Sequence, residues 1–261
     1  FMLAFSAKSP ESLDALRHRH AETVAGLSEK ELASYCYTAL AGRAHHRWRM
    51  AVSFADGSSG AELLKNAPLP KEATTTPPVA MVFTGQGSQY PGMGKELYER
   101  YPVFTAAIDE CAAILAGHGI DLKRLLYGGT GAVELELTTN AQPVIASVEY
   151  ALYKLWLSWG VKPSAVAGHS IGEYPAAVAA GILTIADMLG LVAARAKAMG
   201  EAPPNGSMAA VFAPEKVVRE KLSGRKDVVI AAVNAPEAVT ISGITEEVKA
   251  VCEAFAKDGV K

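Results

Sequence analysis

The sequence GHSIG at residues 168–172 has the spacing G-x-S-x-G, with Ser170 at its centre. An apolar run precedes it and small residues follow it. This layout is typical of a nucleophile elbow, a sharp turn between a strand and a helix that presents a serine hydroxyl. The alternative is a chance pentapeptide in a chain rich in glycine and alanine. The flanking strand and helix favour covalent catalysis at Ser170.

A serine hydroxyl is a weak nucleophile at neutral pH and needs a positioned base, most often a histidine. The six histidines, at positions 18, 20, 45, 46, 118 and 169, all precede Ser170. In hydrolases that use this elbow the base follows the serine in the chain. His169 is the immediate neighbour of Ser170 and is expected to point away from the hydroxyl. We therefore expect the base to be encoded after Lys261.

The glycine-rich stretch GQGSQYPGMG, residues 85–94, follows a predicted strand and precedes a predicted helix. Its spacing does not match the glycine pattern of a dinucleotide or nucleoside triphosphate loop. Two interpretations stay open. In one, the glycines serve only a tight turn. In the other, the backbone N–H groups near Gln86 and at Ile171 converge on the oxyanion of an acyl intermediate, which requires both loops to lie at one sheet edge.

Arg195 falls on an otherwise apolar helix face, at helical spacing from Met188, Val192 and Met199. A buried guanidinium needs an anionic partner. An internal carboxylate such as Glu173 is slightly favoured by spacing alone. The other partner is a substrate carboxylate, held by two parallel hydrogen bonds.

The chain is expected to be α/β throughout. Residues 1–66 are predicted to form an α/β domain, and residues 67–78 a connector rich in proline and threonine. From residue 79 to 204, strands, glycine-rich loops and helices alternate, which indicates a parallel sheet covered by helices. Residues 205–261 are predicted in the order β-α-β-β-α, a ferredoxin-like unit that lacks its last strand.

Composition excludes several function classes. Half of the 261 residues are hydrophobic, and 25 basic against 27 acidic residues give a net charge of −2. No basic block is long enough to indicate binding to nucleic acid or to an anionic membrane, and no membrane span is predicted. The three cysteines are far apart and no leader is recognisable, which favours a reducing, cytoplasmic location.

Five stretches, FTGQGSQYPGMG, AQPVIASVEYAL, GHSIGEYPAAVAAG, LVAARAKAM and VNAPEAVTISG, resemble in order and spacing the acyltransferase domain of modular polyketide synthases. They also resemble its relative, the malonyl-CoA:acyl carrier protein transacylase. Residues 1–66, with AGRAHHRWRMAV, are similar to the linker that joins ketosynthase to acyltransferase. The resemblance implies an α/β-hydrolase-like core with a ferredoxin-like small subdomain, and it covers the whole chain.

The resemblance also implies roles for individual residues. Ser170 carries the acyl ester, and the N–H groups of Gln86 and Ile171 form the oxyanion hole. Arg195 holds the free carboxylate of the substrate, which decides between its two possible partners. The remaining site residues are implied to be Gln142, which supports the polar network, His169, which shapes the elbow, and Asn234, which lies near the cleft. His45 and His46 belong to the linker motif without further ligands, so no metal site is expected.

The implied reaction transfers an acyl group from coenzyme A to Ser170 and then to the phosphopantetheine thiol of an acyl carrier protein. No bound cofactor is needed, and an adjacent ketosynthase domain is an expected partner. The family's histidine lies further after the serine than the 91 residues that remain here. Two alternatives stay open: a serine hydrolase, and a catalytically incomplete scaffold fragment.

Ile171 bears on the choice of acyl group. Relatives that use methylmalonyl often resemble G-H-S-Q-G at the elbow, whereas Ile171 stands at that position here. This resembles the malonyl-type domains, so malonyl-CoA is the expected substrate.

Overall fold

The computed structural model describes residues 1–70, 72, 77–203 and 205–260. Its contacts divide the chain into two compact units, Phe1–Pro78 and Val79–Lys261, here called the N-terminal and C-terminal units. Residue 71 and residues 73–76 of the predicted connector lie outside the described residues. So do Pro204 and Lys261, at the ends of the two predicted subdomains.

The N-terminal unit packs three helices against a two-stranded antiparallel sheet. Ser9 accepts a hydrogen bond from the Ser12 N–H and so caps the first helix. Alternating residues of the first strand are buried, and they form this unit's own core with the helices. The predicted mixture of strands and helices is confirmed. The elements are β1 Met2–Ala7, α1 Pro10–Ala25, α2 Glu29–Ala41, β2 Trp48–Ser53 and α3 Gly57–Asn66.

The first part of the C-terminal unit places helices around a short parallel strand pair. Pro102 ends one helix and opens the next, as expected of a residue that lacks an N–H donor. The elements are β3 Ala80–Phe83, α4 Lys95–Arg100, α5 Pro102–Ala116, α6 Leu122–Tyr127, α7 Ala132–Glu136, α8 Thr138–Ser158, β4 Ala165–Gly168, α9 Glu173–Ala179 and α10 Ile185–Gly200.

Strands β3 and β4 are parallel neighbours, paired from Ala80↔Ala165 to Phe83↔Gly168. The predicted parallel pairing is therefore confirmed. Because parallel strands end at the same sheet edge, the glycine-rich loop after β3 and the GHSIG turn after β4 leave the sheet side by side. Helix α8 packs against α5, α9 and α10 and forms the centre of this part's core.

The last part of the C-terminal unit is a three-stranded antiparallel sheet with two helices. The elements are β5 Gly206–Val211, α11 Glu215–Leu222, β6 Val228–Ala235, β7 Ala238–Ile244 and α12 Thr245–Lys257. The strand order is β5-β7-β6, and apolar residues of one sheet face pack under the helices. The predicted β-α-β-β-α order is confirmed.

The turn between β4 and α9 is unusually tight. Ser170 has φ of 55° and is the one non-glycine residue with positive φ within the described ranges. A Cβ atom on Gly168 would lie 2.2 Å from the carbonyl oxygen of Gly172, and one on Gly172 would lie 2.5 Å from the carbonyl oxygens of Phe83 and Thr84. The two glycines of the motif therefore let three backbone segments touch, and this contact holds Ser170 in a strained conformation.

The helix predicted after the motif is confirmed, and a single tight turn leads into it. Residues Ser170–Gly172 form a single 3-10 turn, and the α-helix starts at Glu173. The tighter turn follows from the close approach of Gly172 to β3, since a regular helix through Ser170 would need negative φ at that residue.

No helix among the described residues combines the length and apolar character needed to cross a membrane. The cysteines are free in the described structure: Cys36 and Cys111 are buried, and Cys252 is half-buried. Burial raises the pKa of the Cys111 thiol to about 12, which keeps it protonated and unreactive.

Substituting Gly168 tests the close approach at the elbow. Gly168→Ala is expected to lower the free energy of unfolding by about 1–3 kcal/mol, because its methyl group would meet backbone atoms that cannot rotate away. Gly190→Ala is the control, since Gly190 lies inside α10 with its nearest neighbour, the His118 ring, at 3.8 Å. That variant should gain up to about 1 kcal/mol. Chemical denaturation measures both, and equal effects of the two substitutions would contradict the close packing.

Candidate active site

Ser170 lies at the exposed end of the sheet, just before α9. The N–H of His169 donates to the carbonyl oxygen of Phe83 at 3.1 Å, and the N–H of Gly172 donates to that of His169 at 3.0 Å. These bonds fix the backbone on both sides of the serine, whose side chain is exposed. The hydroxyl is thus presented to solvent by a rigid turn, as a nucleophile requires.

Arg195 reaches the serine from α10. Its Nη2 donates to Ser170 Oγ at 3.2 Å, and its Nη1 donates to Oε1 of Gln142. Met188 and Val192 are buried on the same helix face, as predicted, whereas Met199 at its end is exposed. This face of α10 is therefore buried at Met188 and Val192 and exposed at Met199, and Arg195, between them, is half-buried.

Gln142 lies on α8 with none of its side chain exposed. Its Oε1 accepts from Arg195, and its Nε2 lies 3.2 Å from the sulfur of Met199. A neutral amide orients the guanidinium without neutralising it, which a carboxylate at the same place would do. The positive charge of Arg195 therefore stays available to an anion.

The internal partner considered for Arg195 is not used. Glu173 is exposed at the start of α9 and forms no ion pair with Arg195. Within the described part of the chain, no carboxylate oxygen lies within 4.0 Å of this guanidinium. The internal carboxylate, which spacing alone slightly favoured over a substrate carboxylate, is therefore not the partner of Arg195 in this structure.

The two loops expected to supply oxyanion-hole donors lie at the same sheet edge. A Cβ on Gly85 would lie 2.7 Å from Nδ1 of His169, so the loop that carries Gln86 touches the elbow. The backbone N–H groups of Gln86 and Ile171 find no acceptor among the residues that the structure describes. The Gln86 side chain points elsewhere, with Nε2 3.2 Å from Oγ1 of Thr138.

The His169 ring is engaged by the three-stranded sheet. Its Nε2 lies 3.2 Å from Oδ1 of Asn234 in β6, and Asn234 Nδ2 donates to Oγ1 of Thr240 at 2.9 Å. An amide oxygen only accepts, so this contact is a hydrogen bond in the tautomer that has its proton on His169 Nε2. The structure thus brings Asn234 to the elbow, through His169 rather than through Ser170.

Glu149 joins this site without having been considered from the sequence. Its Oε1 accepts from the N–H and from Oγ1 of Thr84, the first residue after β3, the latter at 2.8 Å. Burial raises the pKa of this carboxyl group, against the lowering effect of the two Thr84 hydrogen bonds. The sequence contains a sign of this role, because Glu149 is the one acidic residue in α8 and interrupts a mostly apolar run of buried residues.

Two other features carry no comparable chemistry. A groove of about 920 Å³ lies in the N-terminal unit, lined in part by Phe5, His20 and Tyr35. There His20 Nδ1 lies 2.6 Å from the Tyr35 hydroxyl, and burial lowers the histidine pKa. No group of three or more metal-binding side chains occurs in the described ranges, and His45 and His46 stand apart from such ligands.

Comparison with known families agrees with this geometry. Residues 80–261 match the model of the family described as "Acyl transferase domain", and residues 1–64 match the one described as "CurL-like, PKS C-terminal". The first match contains every residue of the candidate site. The second covers most of the N-terminal unit.

The curated relatives include synthases that are much longer than this chain. The chain is 41% identical, over 80% of its length, to the phenolphthiocerol synthesis polyketide synthase type I Pks15/1 of Mycobacterium marinum. It is 38% identical, over 97% of its length, to the mycoketide-CoA synthase of Mycobacterium tuberculosis. The chain spans only 10% and 6% of these two proteins.

Solved structures share the fold. The acyltransferase domain from module 8 of the salinomycin polyketide synthase matches all of this chain with a TM-score of 0.82 and 31% identity, and the chain spans 64% of that protein. The acyl-carrier-protein S-malonyltransferase of Burkholderia pseudomallei matches 70% of the chain with a TM-score of 0.63 and 40% identity, and 60% of that protein is covered. By family model, sequence and structure, the chain belongs to the acyl transferase domain family.

Proposed function

We propose that this chain transfers a malonyl group from coenzyme A to an acyl carrier protein in polyketide synthesis, by way of an ester on Ser170. The observation that carries the proposal is the Arg195 guanidinium, which lies 3.2 Å from the nucleophile and has no carboxylate within 4.0 Å among the described residues. A substrate with a free carboxylate next to its thioester supplies the missing anion.

In the first half-reaction, Ser170 Oγ attacks the thioester carbonyl carbon and a base takes the hydroxyl proton. The carbonyl oxygen becomes an oxyanion, which the N–H groups of Gln86 and Ile171 stabilise. The C–S bond then breaks, coenzyme A leaves as the thiol after receiving the proton, and a malonyl ester remains on Ser170. Support comes from the two N–H groups at one sheet edge.

In the second half-reaction, the phosphopantetheine thiol of the carrier protein attacks the ester and Ser170 is released. The order is ping-pong, since one acyl group occupies the serine between two thiols. The carrier protein and an adjacent ketosynthase are the proposed partners, supported by the synthase relatives. No bound cofactor takes part in this scheme. The free cysteines and the coenzyme A substrate fit a cytoplasmic setting.

Arg195 and Gln142 act together in choosing the substrate. Gln142 holds one side of the guanidinium, so that Nη2 faces the serine and the incoming carboxylate. The choice of malonyl over methylmalonyl rests on Ile171, whose side chain is buried behind the elbow. Relatives that take methylmalonyl often resemble G-H-S-Q-G at this position.

The base for Ser170 is proposed not to be among the six histidines of this chain. Only His169 lies at the elbow, and its ring nitrogen Nε2 is engaged by Asn234. No hydrogen bond joins its ring to Ser170 in the described structure. A histidine from outside these residues then serves as base, in keeping with the family pattern.

The finer description of the fold is also a proposal. Val82 in β3 is 75% exposed although its strand is apolar, which supports a wider, α/β-hydrolase-like parallel sheet. The β5-β7-β6 order is that of three strands of a ferredoxin-like sheet. Residues 1–66 are proposed as the linker between ketosynthase and acyltransferase, residues 67–78 as a connector, and residues 79–204 and 205–261 as the two subdomains.

Two other functions stay distinguishable. A serine hydrolase would share the elbow but would not need an unneutralised guanidinium beside the nucleophile. A non-catalytic scaffold would not need the serine hydroxyl at all.

The proposed transfer is tested with equal amounts of malonyl-CoA and methylmalonyl-CoA, a phosphopantetheinylated carrier protein, and the protein at its natural full length. We expect malonyl-carrier as the main product and none with Ser170→Ala. Carrier protein that lacks phosphopantetheine is the control and should stay unloaded. Release of free malonate with no carrier loading would indicate a hydrolase, and preferential methylmalonyl loading would contradict the substrate assignment.

Arg195→Ala tests recognition of the carboxylate. It is expected to slow malonyl transfer by the equivalent of about 2–5 kcal/mol, on the scale of truncating one member of a buried charged pair. Transfer from acetyl-CoA, which lacks the carboxylate, should fall much less. Lys197→Ala is the matched control, because Lys197 is exposed on the same helix. Equal losses with both thioesters would show that Arg195 is structural.

His169→Gln tests the assignment of the base. Glutamine keeps a donor for Asn234, so acylation of Ser170 should fall by less than about tenfold, whereas removing a general base costs about 10²–10⁴-fold. Rates of acyl-serine formation between pH 6 and 9 measure the effect. A loss of about a thousandfold, with the neutral-pH limb of the profile removed, would identify His169 as the base.

A further inference from the structure

Glu149 is a half-buried carboxylate on a helix whose neighbouring residues are buried. It lies on α8 between the buried stretches 141–148 and 150–151. Its Oε2 is inaccessible to solvent and has no hydrogen-bond partner in the described structure. No cationic side chain pairs with it within the described ranges. Burying a carboxylate oxygen without a partner is unfavourable. Glu149 is therefore expected to lower the stability of the fold, and the contacts of its other oxygen indicate what the side chain does.

Those contacts all go to Thr84. Glu149 Oε1 accepts from both the backbone N–H and the hydroxyl of Thr84, so one oxygen holds the main chain and the side chain of the same residue. Thr84 Oγ1 lies 2.9 Å from Oγ of Ser88, four residues further along. Glu149 therefore fixes the residue at which the chain leaves β3, and through it the start of the glycine-rich loop.

Thr84 is also a contact point of the elbow. A Cβ on Gly172 would lie 2.5 Å from the Thr84 carbonyl oxygen, so the two backbones touch. The next residue, Gly85, lies against the His169 ring, and Gln86 follows. A shift of Thr84 therefore moves the Gln86 N–H relative to Ser170.

We propose that Glu149 is a positioning residue for the oxyanion hole: its carboxylate, held on α8, sets the place of the Gln86 N–H through Thr84. This rests on the proposed function, since it assigns a use to that N–H. The same helix carries Gln142 seven residues earlier, which is two turns away on the same face. One rigid helix thus places both the loop of the oxyanion hole and the residue that orients Arg195.

The test compares Glu149→Met and Glu149→Gln in the protein at its natural full length. Methionine keeps the size of the side chain and removes the acceptor, whereas glutamine keeps an acceptor for Thr84. Ser147→Ala is the control, because Ser147 is buried on α8 and has no bond to the loop. Rates of acyl-Ser170 formation, thermal midpoints and hydrogen exchange of the amides at residues 84–88 are measured.

We expect Glu149→Met to slow acylation about 10- to 100-fold, less than the 10²–10³-fold loss of a whole oxyanion donor. Because the oxyanion is common to both thioesters, the factor should be equal for malonyl-CoA and acetyl-CoA, and KM should change little. Exchange at residues 84–88 should rise, while the thermal midpoint stays the same or increases since a buried carboxylate is gone. Glu149→Gln and Ser147→Ala should stay within about threefold of the unsubstituted rate.

Three results would overturn the proposal. Unchanged acylation in a folded Glu149→Met protein would show that the loop does not need the anchor. A rate loss that matches a fall in thermal midpoint and also appears in Ser147→Ala would show a merely structural role. Absence of any acylation in the unsubstituted protein would remove the proposed function itself, which is a failure distinct from the other two.

Discussion

The close approach of three backbone segments at Gly168, Gly172 and the end of β3 is the constraint on which the rest of the site depends. A Cβ atom at either glycine would lie 2.2–2.5 Å from its nearest backbone atom, which leaves no room for a side chain. Ser170 takes positive φ as a result. A residue held in that conformation needs support on both sides, and the parallel pairing of β3 with β4 supplies it.

Beyond that turn, Arg195 and Gln142 are placed by two helices that pack against the same core. Helix α10 brings Arg195 to the serine, and α8 brings Gln142 to Arg195. The guanidinium is oriented by a neutral amide and is not neutralised, so its charge can act on a ligand. This unpaired positive charge beside the serine is the physical basis for proposing a substrate with a free carboxylate.

The turn around Ser170 could be predicted from the sequence, but the contacts between side chains on different helices and loops could not. The glycine spacing around Ser170 specifies its own turn, because the constraint acts within five residues. The partner of Arg195 depends on how α8, α9 and α10 pack, and spacing alone favoured Glu173, which the structure turns to solvent. Glu149 is a second example. An acidic residue inside an apolar helix is visible in the sequence, but no local sequence pattern indicates that it binds Thr84, which lies 65 residues away.

The most direct measurement is the mass of the peptide that contains Ser170, taken from protein quenched with acid shortly after mixing with malonyl-CoA and no carrier protein. An acyl-enzyme mechanism predicts the added mass of one malonyl group on that serine, and its disappearance when a carrier protein is then supplied. Carrier loading without any modified Ser170 peptide, or a malonyl group on a different residue, would contradict the central role given to the elbow.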